Sequence, residues 1–471
     1  MTALYEILLY VSIGVFAMMA AIYVRSGRAS MFHPVTVYLA FHFVTFVVRP
    51  PFAYYLQYND MYDAFNFHPT IEEKIIVVLA TNLGVVTFVL AGLWFGRAQT
   101  RLGEVSDWQL NRYLKPVLVT CVVLGIPAAW SLWTVLGMTS LGMTESQYQL
   151  DYATGVTINT TSNGYLLEAQ LMLATLVGMF AYVFRFRWWS ILPFVAFVIL
   201  RAGTGGRGPF IAATFFFILL YLYHSRQRWL TATTVALGGL ALVLFRLVGD
   251  YRLSGFQELF AGKTAGENVE RLRFLESMDW ANLEFFEYLV HVVPKRTETY
   301  GYFVSVLQLF TEPIPRVLWE DKPIGAPIKL FNLFDYGTPY GGTYSLPGAG
   351  WLELGWVGIV ILCVVFAWLY GKAYNRFMDR PQSPYTVMLY CAFLATLIVA
   401  VRDGLLITVA RQALFYVAPV FAMQLFAIAY GVAGRPATDE PEAGTPGAET
   451  LATSPQERRK LRAAEFSGSG L

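Results

Sequence analysis

Arginines carry most of the chemistry that can be read from this chain. The run RAGTGGRG sets Arg201 and Arg207 on either side of a glycine-rich turn between two apolar segments. Glycines bare their backbone N–H groups to an anion, and a guanidinium offers paired donors that match a phosphate. The run AVRDGLLITVARQ sets Arg402 and Arg411 on either side of an apolar stretch, with Asp403 beside the first. In PIPRVLWEDKP, Arg316 and Lys322 flank Trp319, next to Glu320 and Asp321. These are groups for holding a phosphorylated substrate. Their alternative role is to anchor span ends by snorkelling, and anchoring arginines favour the cytoplasmic side, where these residues are not expected.

Absent motifs narrow the chemistry further. The apolar runs 75–95, 116–137, 229–245 and 385–401 contain no Asp, Glu, Lys, Arg or His. Ion-coupled transporters usually need such groups near mid-membrane. There is no Walker motif, GxSxG or HExxH. The three cysteines, Cys121, Cys363 and Cys391, all lie in apolar runs, offering neither a disulfide nor a metal cluster. No metal and no cofactor is expected. Chemistry, if present, belongs at the outer face, on a substrate that arrives already activated and phosphorylated.

The elements that position these residues are membrane spans. Of 471 residues, 56% are apolar and 14% charged, against roughly 25% charged in soluble domains. This is the composition of an all-α polytopic membrane protein. The net charge of +2 leaves no nucleic-acid footprint. Runs long enough for a bilayer fall at about 4–24, 33–48, 75–95, 116–137, 165–184, 209–224, 229–246, 353–370, 385–401 and 412–432, with a shorter one at 188–200. Arg25 and Arg28 follow the first run, which is not a cleavable signal. With eleven spans and the N-terminus outside, the cytoplasmic side receives fourteen Lys and Arg and the short outer loops six. The positive-inside rule therefore favours N-out and C-in. The expected organisation is spans one to eight over 1–246, an extracytoplasmic loop over 247–352, spans nine to eleven over 353–434, and a disordered cytoplasmic tail over 435–471. A cysteine placed at Gly262 or Gly341 is thus expected to react with a membrane-impermeant maleimide on intact cells. Labelling only after permeabilisation would reverse the orientation and the outer-face chemistry with it.

Within that loop, residues 267–292 place Leu272, Leu275, Leu283, Phe286 and Val290 at helical spacing, with charges on the remaining face. This predicts an amphipathic helix on the outer membrane face or on the span bundle. His291 near its end is a candidate base. After it, Pro313 and Pro315 forbid regular helix. Trp319 suits a membrane interface, and an irregular run containing Gly337, Gly341, Gly342, Gly348 and Gly350 leads into the ninth span.

At the TGGRG turn with Arg207, the PIPRVLWEDKP run with Arg316, Trp319 and Lys322, the LELGWVG span entry and the outer Arg402, the sequence resembles the Wzy-type oligosaccharide repeat-unit polymerases of O-antigen and exopolysaccharide synthesis. The resemblance implies a GT-C-like membrane glycosyltransferase in the bacterial cytoplasmic (inner) membrane. It implies undecaprenyl-pyrophosphate-linked oligosaccharides as substrates, no nucleotide sugar, and a chain-length regulator as a partner the family often uses. Read this way, Arg207 and Arg402, with Arg316, Arg201, Arg411 and Lys322, hold the departing pyrophosphate. A general base takes the acceptor proton. Its candidates are Glu353, Asp403, Glu312 and His291, with Glu353 favoured because it enters the membrane at the start of its span; the alternative for Glu353 is a pairing with an arginine. The competing functions are a glycan ligase, a flippase or exporter of lipid-linked glycans, and a structural envelope subunit.

Overall fold

The computed structural model describes residues 1–140, 148–151, 156–159, 168–202, 207–232, 234–235, 238–239, 275–276, 280–314, 318–323, 325–339 and 342–432. The chain divides into two units, Met1–Phe426 and Ala427–Leu471. The described part of the second unit is the end of the last helix and the turn after it.

Among the described residues, seven helices are long and apolar enough to cross a membrane: α1 (Thr2–Arg25), α2 (Pro34–Tyr55), α4 (Ile71–Phe95), α5 (Asp107–Ser140), α10 (Leu346–Met378), α11 (Pro384–Arg402) and α12 (Leu406–Ala429). Three shorter apolar helices are α6 (Ala169–Val183), α7 (Trp188–Ala202) and α8 (Arg207–His224). Among the remaining helices, α3 (Asp60–Phe65) and α9 (Asn282–Val292) mix apolar and acidic residues. The chain is thus an integral multi-pass membrane protein. Ten of the eleven expected apolar runs coincide with these helices; the run at 229–246 lies mostly outside the described residues, as does the tail. One departure from an all-helical chain is a hairpin, β1 (Tyr148–Asp151) paired antiparallel with β2 (Val156–Asn159).

Packing follows composition. α4 lies against α1, α2, α9 and α10, whereas α6 packs on α5, α7 and α8. α2 runs on past its expected end at 48 through a π-helical turn, Phe43–Val48, to Tyr55.

Polar bonds sort the helix ends into two groups. At one end, Arg28 Nη1 donates to Leu93 O, the His33 ring meets Gly96 O at 3.0 Å, and the Thr100 and Tyr374 hydroxyls are 2.7 Å apart. At the other, which holds the described residues from Leu275 to Ser345, Tyr54 bonds to Glu6, Arg49 to Glu284 and His291 to Glu73. This loop end contains Arg201, Glu353, Arg402 and Arg411.

The described helix of the loop is α9, and of the two placements expected for it the span bundle is the one found: Glu284 and Glu287, on its charged side, are both buried. Arg49, itself fully buried, donates from Nη2 and Nε to Glu284 Oε1 at 2.6 and 3.2 Å, and from Nη1 to Leu275 O. Tyr62 donates to Glu287 at 2.5 Å. Burial pushes the Glu287 carboxyl up to about 7, against the pull of Lys74. Buried charge persists only where partners meet it, so α9 docks on the span bundle through both its apolar and its acidic sides. The glycine-rich run is shorter than expected. α10 begins at Leu346 and takes Gly348 and Gly350 into its first turns.

α10 is broken where it matters for the site. Leu354 and Gly355 leave helical geometry, Gly355 at φ +58°, where a side chain would also meet the Tyr300 hydroxyl at 2.9 Å. A break frees carbonyls that must find donors. The loop supplies them: Gly301 N–H donates to Leu352 O and Tyr302 N–H to Glu353 O, both at 2.9 Å.

Candidate active site

The turn joining α11 to α12 is the centre of the site. Gly404, at φ +76°, lets this turn press onto the start of α10; a Cβ there would lie 2.6 Å from Ser345 O. The Arg402 carbonyl accepts from Ser345 N–H at 2.8 Å and from the Asn282 amide at 2.9 Å. The same Asn282 nitrogen donates to Thr343 O and Oγ1 at 2.9 and 2.7 Å. Three distant parts of the sequence, α9, the entry to α10 and the α11–α12 turn, are thereby tied at one point.

Asp403 is half-buried in this turn, within electrostatic reach of both Arg402 and Arg411. Burial pushes its carboxyl up to about 6, while hydrogen bonds from Thr408 and Leu405 and the two arginines act the other way. One carboxylate oxygen, Asp403 Oδ1, is buried without a hydrogen-bond partner among the described residues. So are Arg411 Nε and Gln412 Oε1 on the first turns of α12. Buried polar atoms are nearly always partnered. Three of the exceptions among the described residues, with both signs of charge, thus fall on two adjacent stretches of chain. Tyr344 borders the same place. Its phenol is pushed up by burial and then by the nearby Asp403 and Glu353 carboxylates, which puts it within reach of both.

The other sequence-derived residues separate into distinct settings. Glu353 sits one residue before the break in α10. Its Oε2 accepts from Phe303 N–H and its Oε1 from the Ser305 hydroxyl, both at 2.5 Å. Among the described residues it forms no ion pair, so the expected pairing with an arginine is replaced by a clamp on the loop backbone. Arg201 donates from Nη1 to Gln170 Oε1 and lies in the field of Tyr416 on α12, placing it near the α12 end of the site. His291 Nδ1 meets Glu73 Oε1 at 3.0 Å, and Lys295 Nζ lies 3.6 Å from the same oxygen. Glu73 in turn closes a capping box with Thr70 at the start of α4, so His291 belongs to a helix-start cluster. Lys322 Nζ donates to the carbonyls of Glu312 and Ile314 at 2.8 and 3.1 Å, bracing the loop on itself. Arg207 opens α8, but its side chain lies outside the described part, as does the whole of Arg316.

Sequence reasoning missed Gln412 and Asn282. Gln412 follows Arg411 directly in an otherwise apolar run, and that polar pair was the available signal. Asn282 gave none: its role depends on a carbonyl 120 residues away.

A model of the O-antigen polysaccharide polymerase Wzy family matches residues 1–429. No curated protein and no solved structure matches.

Proposed function

The chain belongs to the O-antigen polysaccharide polymerase Wzy family, and on that premise we propose that it transfers a growing glycan from polyprenyl pyrophosphate to one new lipid-linked repeat unit at the outer face of the bacterial inner membrane. The orientation that goes with this reading is N-out and C-in, with the 247–352 segment extracytoplasmic. In it, the loop end of the bundle faces the compartment where the sugars project.

The observation that supports the reading most strongly is the half-buried Asp403 in the field of Arg402 and Arg411, its Oδ1 buried without a hydrogen-bond partner among the described residues. The reaction needs both signs of charge. The acceptor hydroxyl attacks the anomeric carbon as the bond to the pyrophosphate oxygen breaks. The electron pair leaves with the pyrophosphate, whose charge rises, and fixed guanidinium donors stabilise it. Arg402 and Arg411 fill this role, with Arg201, Arg207 and Arg316 as further donors. The acceptor proton passes to a carboxylate. Asp403 is better placed for that than Glu353, whose two oxygens are already taken by the loop, or His291, which is held by Glu73. A single in-line displacement of this kind inverts the anomeric centre.

The function is tested by removing the gene. Cells without the chain are expected to attach single repeat units to their surface glycolipid. Long but unattached chains would instead mark a ligase, and accumulation of repeat units on the cytoplasmic side would mark a flippase.

A further inference from the structure

The segment of the loop that follows α9 turns its large apolar side chains outward. Phe310 and Leu318 are 74% and 79% exposed, and Leu307, Trp319, Ile328 and Leu330 are also open. A water-facing surface rarely gathers so many large apolar side chains within a short stretch. Lys322 is spent on the carbonyls of Glu312 and Ile314, whereas Glu320, Asp321 and Lys329 are exposed beside the apolar residues and supply the polar border of the patch.

The depth of this segment is fixed by its anchor. Residues 301–305 are bonded to Leu352 and Glu353 at the break in α10. At the far end of the same helix, Lys372 and Arg376 are exposed and mark the opposite interface. From Leu354 to Lys372 the helix rises about 27 Å at 1.5 Å per residue, close to the roughly 30 Å of a bilayer's hydrocarbon core. The break therefore lies at the edge of that core. Directly below it, Trp356 and Val357 are 41% and 61% exposed on a span, which is a lipid-facing surface. The outward apolar residues of the loop continue that surface upward.

We propose that residues 302–314, 318–323 and 325–330 form an interfacial paddle that lies in the leaflet at the loop end of the bundle, with Phe310 and Leu318 among the acyl chains and Trp319 at headgroup level. Its partner is the phospholipid bilayer. Trp is the side chain that favours this depth, and an apolar surface bordered by polar turns is what binds in the interface plane. The paddle also ties the membrane surface to Glu353, because the strand of chain that clamps this carboxylate leads directly into it. The proposal does not depend on which residues perform transfer.

The test uses the full-length protein in lipid nanodiscs, with Cys121, Cys363 and Cys391 replaced by alanine and single spin labels introduced. Labels at Phe310→Cys and Leu318→Cys are expected to collide more with oxygen than with a water-soluble nickel chelate. They should resemble a label at Val357→Cys and differ from one at the exposed, charged position Glu298→Cys. Ile328→Cys and Leu330→Cys form a second pair should either of the first fail to fold. Collision favouring the nickel chelate at these positions would overturn the proposal. So would low collision with both reagents, which would mean that protein covers the patch instead of lipid.

Discussion

Arg402→Lys is expected to lose nearly as much polymer synthesis as Arg402→Ala, on the order of 10²–10³ in turnover, the range for removing one preorganised donor. Lysine keeps the charge but presents it as a point, whereas a pyrophosphate oxygen pair is met by the two-pronged guanidinium. The substitution is a fair test because the turn does not depend on this side chain. Its backbone carbonyl, held by Ser345 and Asn282, is what fixes the local geometry. Thermal stability should therefore change little while turnover collapses. Arg25→Ala, at the opposite end of the helices and exposed, should leave turnover unchanged. Full activity in Arg402→Lys at normal expression would remove the bidentate role.

Asp403→Asn has the second large effect expected, loss of turnover with folding retained. Above pH 6 the half-buried carboxylate is a charge that the folded state holds at a cost, so a neutral amide should fold at least as well. The sign of the pH dependence separates chemistry from stability. The folded Asp403 keeps its proton up to about 6, whereas its ordinary value is 3.8. Between these values the folded state binds more protons than the unfolded one, so its contribution to stability falls as pH rises. A base must be ionised, so activity should rise over the approach to pH 6 and above. Opposite slopes of stability and turnover in the wild type, both flattened in Asp403→Asn, are the expected pattern. Glu353→Gln run beside it should lower stability by loosening the loop clamp, and His291→Gln should leave turnover largely intact.

The sequence carried the membrane architecture well, because span length and the scarcity of charge leave few alternatives. It also singled out Arg402, Asp403 and Arg411, since charges at the ends of apolar runs stand out. It did not reveal the partners of Glu353. Nothing near LELGWVG announces that Phe303 and Ser305 reach across to it, and the break at Leu354–Gly355 is signalled only by one glycine. The periodicity of α9 left two placements open, the membrane face and the span bundle, because its acidic side is met by Arg49, 235 residues away in sequence. Such long-range pairing leaves no trace in local spacing. His291 illustrates the opposite failure, in which a residue suited to catalysis is occupied in closing a helix start.

The central claim is that one buried turn holds the pyrophosphate with arginine and takes the proton with aspartate. It is tested most directly by measuring binding and single-turnover transfer of a polyprenyl-pyrophosphate-linked repeat unit on matched amounts of folded Arg402→Ala and Asp403→Asn protein in nanodiscs. The account predicts that Asp403→Asn binds the lipid-linked unit as the wild type does and transfers nothing, whereas Arg402→Ala is impaired in both. Wild-type transfer by Asp403→Asn, or undiminished binding and transfer by Arg402→Ala, would contradict it.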